Sequence, residues 1–242
     1  MSILDSILFT VFPYTAVFVF FIGSLYRYKN RAFSVSSLSS QFLESPNLFW
    51  GAMFFHWALL IVLAGHLFAF LFPQGQLLWN TYPIRLIILE VAAFTFGILI
   101  IVGLIIIISR RLFNDRIRMV TSPMDLCVEF LLLTQVILGC WIALGYRWGS
   151  SWFAADLSPY LWSLVKLQPT VKAVSQMPLV IKFHIVGAFT LVLLIPFSRL
   201  MHFLVAPFHY MWRPYQVVMW NWKRQHMRLP ETVWTQTRPK NN

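Results

Sequence analysis

The sequence predicts an all-α integral membrane protein with five transmembrane helices, and three observations carry that prediction. Hydrophobic residues fill 59% of the 242 positions while charged residues fill only 11%, about half the charged share of an ordinary soluble domain. Several apolar runs exceed the roughly 20 residues that cross a hydrocarbon core. The basic residues gather between and beyond those runs rather than along them.

The spans are read as 5–27, 47–72, 84–109, 124–147 and 178–205. The first opens near Asp5 and closes on Tyr26, Arg27 and Tyr28, an aromatic and basic group suited to a membrane interface. No positive n-region or small-residue cleavage site accompanies it, so it is expected to be a retained helix. A Ser-rich polar stretch from Arg31 to Ser45 leads to Pro46 and Asn47, which signal the start of the second span. That span stops at Pro73, Gln74 and Gly75, read as a short turn. The third ends at Arg110 and Arg111, the fourth at Arg147. Residues 148–178 form the only long connection, rich in Trp, Ser and Pro, with aromatics suited to the headgroup region.

Fourteen of the nineteen Lys and Arg residues fall in the first loop, the third loop and the C-terminal side. The positive-inside rule then puts the N-terminus outside, on the periplasmic side, and the C-terminus in the cytoplasm. The same distribution explains the net charge of +11 without nucleic acid, which is not expected as a partner. Residues 1–207 are read as one five-helix domain and residues 208–242 as a basic, aromatic cytoplasmic tail. Cys127 and Cys140 both lie in an apolar span, so neither a disulfide framework nor a thiolate cluster is expected. No C-x-x-C-H occurs, so haem, if bound, is not covalently attached.

The histidines carry the chemistry. His209 and His226 lie in the tail, whereas His56 and His66 lie in the second span and His184 and His202 in the fifth. A titratable side chain at membrane depth is costly and marks a functional site by default. One such histidine is ordinarily a helix–helix hydrogen-bonding residue; four on two helices are harder to explain that way. The second span runs inward to outward and the fifth runs back, which pairs His66 with His184 at the outer level and His56 with His202 at the inner level. Two facing imidazoles at each level are what two haems between helices 2 and 5 require, with the four histidines as axial iron ligands.

On a straight helix, His184 and His202 stand about five turns and ~27 Å apart on one face, while His56 and His66 are separated by only ~15 Å. Helix tilt, inclined haem planes or a bend at Pro196 are the ways to absorb the mismatch. Gly65 and Gly187 offer close approach for a flat macrocycle, or serve helix packing. Arg110, Arg111 and Arg199 are candidate partners for the inner haem's propionates, with positive-inside anchoring as their other reading. Glu90 and Glu129 are the carboxylates that reach into the spans, as proton relays or plain interface residues. No tight ligand cluster suggests zinc.

Beyond the histidines, an ordered set of residues resembles the gamma subunit of membrane-bound respiratory nitrate reductase. It comprises Pro13-Tyr14, Gly23-Ser24 with Arg27-Tyr28, Ser39-Ser40-Gln41, His56, Gly65-His66, Arg110-Arg111-Leu112-Phe113 and Phe197-Ser198-Arg199-Leu200 before His202. The resemblance covers about residues 10 to 207. It implies a cytochrome b membrane anchor with two haem b groups in a cytoplasmic (inner) membrane. His66 and His184 would bind the outer, distal haem, and His56 and His202 the inner, proximal one. Quinol would be oxidised near the outer haem, beside Gly65 and His66, with its protons released outside. Electrons would pass to an iron–sulfur subunit and then to a molybdenum subunit reducing nitrate on the cytoplasmic side. The family's pattern has a lysine linked to quinol binding near the start of the third span. Here that place falls near Ile87, and Arg85 is the candidate in its stead.

Two other readings are kept. One is the cytochrome b anchor of a different quinone-linked enzyme: a hydrogenase, a formate dehydrogenase, a sulfur-metabolising complex, or a nitrite-oxidising relative running in reverse. The other is a haem-free transporter or scaffold whose histidines serve packing, which predicts a colourless protein tolerant of His184→Ala.

Overall fold

The computed structural model describes residues 3–37, 39–40 and 43–205, and every regular element among them is helical. Among the described residues, five helices are long and apolar enough to cross a membrane. They are α1 (Ile3–Asn30), α2 (Pro46–Leu71), α3 (Pro83–Phe113), α4 (Pro123–Gly145) and α5 (Leu179–Leu194), the last continued by a 3-10 turn to Phe197. In no span is more than 28% of the most apolar window buried. Side chains such as Phe18, Phe21, Leu60, Ile88, Val91 and Ile105 therefore point outward, the pattern of a chain whose solvent is lipid. The protein is a multi-pass membrane protein, all-α among the described residues. The expected tail 208–242, with His209 and His226, lies outside the described residues.

Prolines set the helix starts. Pro46, Pro83 and Pro123 each occupy the first turn, where a missing N–H costs no intrahelical bond. At α4 the start is reinforced by a capping box in which Ser122 and Asp125 exchange side-chain and backbone hydrogen bonds. Inside α1, Pro13 follows a π turn over Ile7–Val11. Pro13 cannot donate to the Phe9 carbonyl, and the Tyr160 hydroxyl takes that place at 2.8 Å. The neighbouring Tyr14 hydroxyl donates to the Leu164 carbonyl at 3.0 Å.

Packing runs in the order α2, α3, α4, α5, α1, each helix against the next. The α2–α3 contact is backbone-close: a β-carbon on Gly103 would stand 2.7 Å from the Phe55 nitrogen and 2.8 Å from the Gly51 oxygen. Phe55, Ala58, Ile100, Leu104, Ile107 and Ile108 complete that core. Between α3 and α4, Gly97 faces the Cys140 sulfur, so this cysteine serves packing. The two histidine-bearing segments, α2 and α5, do not share a packed face of this kind.

Two expectations are corrected, and the long connection gains a description. Pro73-Gln74-Gly75 opens a short helix, Pro73–Asn80, rather than a turn; Pro73 starts it and Gln76 donates to Asn80 four residues on, at 2.9 Å. The 148–178 connection, whose secondary structure the sequence left open, is largely helical: Gly149–Trp152, a π turn Phe153–Leu157, Ser158–Val165 and Lys172–Ser175. It caps the end of α2, where Ser158 Oγ and Trp162 Nε1 donate to the Ala69 and Phe70 carbonyls, each at 2.9 Å. These are among the acceptors that a helix end leaves unpaired. Finally, the fifth span is not one helix over 178–205. α5 stops at Leu194, Ile195–Phe197 is a 3-10 turn, Ser198 is extended, and Arg199–Val205 is a second 3-10 segment. Pro196 is the cause visible in the sequence. The 18-residue spacing of His184 and His202 is therefore not a helical repeat, and the ~27 Å rise expected for one does not apply.

Candidate functional site

His56 lies on α2 four residues after Ala52, whose carbonyl accepts a hydrogen bond from His56 Nδ1 at 2.8 Å. His66, also on α2, repeats the arrangement with Val62 at 2.8 Å. His202, on the terminal 3-10 segment, does so with Arg199 at 2.7 Å. A carbonyl can only accept, so Nδ1 carries the proton in the neutral ring and Nε2 keeps its lone pair. This is the usual way a ligating histidine is oriented.

The His56 and His202 rings stand 6.3 Å apart between centroids with planes at 68°. Two imidazoles binding one metal from opposite sides, each through a bond of about 2 Å, place their ring centres roughly 6 Å apart. The spacing of the pair would suit two histidines holding one metal centre between them. Among the described residues no group of three or more His, Cys, Asp or Glu side chains converges on one point. Paired histidines suit a cofactor that brings its own equatorial ligands, and do not suit a bare ion held by protein alone.

The second pair is set differently. His184 lies on α5 and faces α4, where a β-carbon on Gly139 would meet its Cε1 at 3.5 Å. The Nδ1 of His184 is buried without a hydrogen-bond partner among the described residues. The His66 ring packs edge-on against Phe153 of the connection, 5.4 Å between centroids. Beside it, nothing lies within 4 Å of where a Gly65 β-carbon would be. Gly187 behaves otherwise. The notch it leaves is filled by Gln135 of α4, whose Nε2 would be 1.8 Å from an added β-carbon. Gly187 therefore serves helix packing, the second of its two expected roles.

The arginines read as propionate partners are held in ion pairs. Arg110, buried, bonds Glu44 through Nε, Ser40 Oγ through Nη1, and the Ser40 and Glu44 carbonyls through Nη2. Arg111 pairs with Glu129 at 2.5 Å and Asp125 at 3.6 Å. Arg199 donates to Asp125 at 2.9 Å and to the Val120 carbonyl at 2.8 Å. Of the three, Arg199 lies on the segment that carries His202, and Asp125 joins it to Arg111. Glu90 accepts from the Ser150 backbone at 2.9 Å and from its hydroxyl at 2.7 Å, tying α3 to the connection. Arg85 stacks over the rings of Tyr82, 4.4 Å, and Trp79, 5.2 Å.

Sequence reasoning missed Gln135, Gly139 and Phe153 as neighbours of the histidines, and Asp125 as the carboxylate joining two of the arginines. Only Asp125 left a signal, since Ser122, Pro123 and Asp125 form a helix-start pattern.

A family model described as the nitrate reductase gamma subunit matches residues 5–221. The nitrate reductase gamma chain of Bacillus subtilis (strain 168) is 33% identical over 221 residues, covering 87% of this chain and 96% of the relative. The gamma chain of respiratory nitrate reductase 1 of Escherichia coli (strain K12) is 30% identical over 223 residues, covering 90% and 98%. The corresponding chain of reductase 2 from the same organism is 29% identical over 219 residues, covering 89% and 96%. With matches of this extent on a five-helix membrane scaffold, the chain belongs to the nitrate reductase gamma subunit family.

Proposed function

We propose that this chain is a dihaem cytochrome b subunit that carries electrons between the quinone pool and a cytoplasmic nitrate reductase. The observation that carries the reading is the His56–His202 pair, 6.3 Å apart between ring centroids, with each Nδ1 engaged by a carbonyl of its own segment. His56 and His202 hold the inner haem in this proposal, and His66 and His184 the outer one. Bound haem supplies one-electron exchange between ferric and ferrous iron.

The chain's own residues do the rest. The carbonyls of Ala52, Val62 and Arg199 orient three of the four imidazoles, and backbone-close packing of α2 on α3 at Phe55 holds the neighbouring His56 in place. Arg111 and Arg199 supply positive charge toward the inner propionates; Arg110, with all three nitrogens engaged, is the least available. Gly65 and His66 border the proposed quinol pocket, with Arg85 at the start of α3. Oxidation of one quinol releases two electrons and two protons. With the N-terminus outside and the C-terminus in the cytoplasm, the protons leave on the outer face. The electrons reach an iron–sulfur subunit and then a molybdenum subunit that reduces nitrate to nitrite. The inner membrane is the proposed location.

The test is a dithionite-reduced minus oxidised spectrum of the purified chain, with a pyridine haemochrome assay to count haem. Two b-type haems per chain, falling to one in His66→Ala or His184→Ala, support the reading and its pairing. A folded but colourless chain sinks it. Reduction of the haems by menaquinol then tests the quinol step.

A further inference from the structure

The break in the fifth span is held from two sides. On one side stands Arg27 of α1, whose Nη1 donates to the Pro196 carbonyl at 2.8 Å and to the Ser198 carbonyl at 2.6 Å. Its other nitrogens are fixed in turn: Nε donates to Ser34 Oγ at 3.0 Å and Nη2 to the Ser34 carbonyl at 2.8 Å. One turn before Arg27, Gly23 lies against Pro196 so closely that a β-carbon there would stand 2.8 Å from the Pro196 Cβ. On the other side, Arg199 is tied to Asp125 and to the Val120 carbonyl.

These contacts answer a definite need. When a helix stops, its last carbonyls lose their intrahelical donors, and in the buried surroundings of Pro196 and Ser198 an unpaired carbonyl is costly. A guanidinium with several donors in a fixed plane can serve two such carbonyls while gripping Ser34. The residue that follows Ser198 is Arg199, and the Arg199 carbonyl accepts from His202 Nδ1. The chain of contacts from Arg27 to the His202 ring is short.

We infer that Arg27 is a positioning residue for His202: by bonding the Pro196 and Ser198 carbonyls it sets the angle at which the terminal segment presents His202 to His56. The inference rests on the reading that His56 and His202 hold a haem. It assigns Arg27 a role beyond that of an interface cation, and gives Gly23 the task of admitting Pro196 to α1.

The test uses the purified full chain carrying Arg27→Lys, Arg27→Gln or Ser34→Ala. Haem is counted, and each haem is followed by low-spin EPR and by redox titration. The expected result is a displaced EPR signal and shifted midpoint for the His56/His202 haem in both Arg27 variants. Its occupancy should fall by at least half in Arg27→Gln. The His66/His184 haem should be unchanged and serves as the internal control. Lysine keeps the charge but not the two-carbonyl geometry, so full rescue by Arg27→Lys overturns the positioning role. Wild-type signals from both haems in both variants also overturn it. If the Arg27 variants lose both haems, Ser34→Ala decides: a change confined to the His56/His202 haem supports the inference, and equal or no change overturns it. A wild-type chain without haem defeats the underlying reading instead, and that outcome is visible before any variant is made.

Discussion

Gly103 of α3 lies so close to Phe55 of α2 that an added β-carbon would stand 2.7 Å from the Phe55 amide nitrogen. Phe55 immediately precedes His56, so the contact that joins the two helices also sets the depth and rotation of the first histidine. No flexible side chain is available to yield, because the obstructing atoms are backbone.

Gly103→Ala is therefore expected to push α2 away from α3. Overpacking of this kind costs about 1–3 kcal/mol, read as a lower unfolding midpoint in detergent by circular dichroism. The same variant should perturb the EPR signal of the haem proposed at His56 and His202. An unchanged midpoint would mean that the two backbones separate without loss.

Gly187 and Gln135 form the corresponding contact between α5 and α4, but here the obstructing atom is the end of a side chain. Gly187→Ala alone is expected to displace Gln135 and disturb His184, which lies one turn earlier on α5. Removing the obstruction with Gln135→Ala should restore the Gly187→Ala protein. The coupling is measured by a double-mutant cycle on thermal stability. Additive losses would show that Gln135 is not what Gly187 makes room for.

The parts of this molecule that were legible in its sequence are those written in residue type over a continuous stretch. Five spans follow from apolar runs, and His56, His66, His184 and His202 stand out because an imidazole is conspicuous among Leu, Ile and Phe. The break after Leu194 was legible only as Pro196, since a proline inside a span is compatible with a kink, a break or a nearly straight helix. The roles of the arginines were not legible. Arg27, Arg110 and Arg111 look like ordinary interface cations until their partners, Ser198, Glu44 and Glu129, are brought beside them from elsewhere in the chain. Gln135 was silent for a related reason: which face of α4 meets α5 depends on helix rotation, and uniformly apolar spans do not encode it.

Tyr160 is almost wholly buried, with 1% of its surface exposed, and donates to the Phe9 carbonyl left open by Pro13. Burial, with Tyr14 nearby, pushes its phenol well above the usual range, so it stays protonated and able to donate across all practical pH. Tyr160→Phe keeps the ring but strands the carbonyl. The expected loss is about 1–3 kcal/mol, read as a drop in the thermal midpoint. Because the lost bond ties the connection to α1, local proteolysis within 149–178 should accelerate as well. Wild-type stability would show that the π turn meets its own needs.

Glu44 supplies a pH dependence whose sign can be worked out. Burial by itself would raise its carboxyl, but hydrogen bonds from the Asn47 and Leu48 backbones and the bonded charge of Arg110 outweigh that and hold it below the ordinary carboxylate value. A carboxyl lowered by folding adds stability above its unfolded pKa, and that stability disappears as the pH falls through the folded value. The Glu44–Arg110 contribution should thus be complete at neutral pH and fade in the acid range below the ordinary carboxylate value. Glu44→Gln removes the titration, and it also leaves buried Arg110 without its counter-charge. Thermal midpoints of the two proteins should accordingly differ most at neutral pH and converge on acidification. A gap of constant size from neutral to acid would mean that the ionised form of Glu44 is not what holds Arg110 in place.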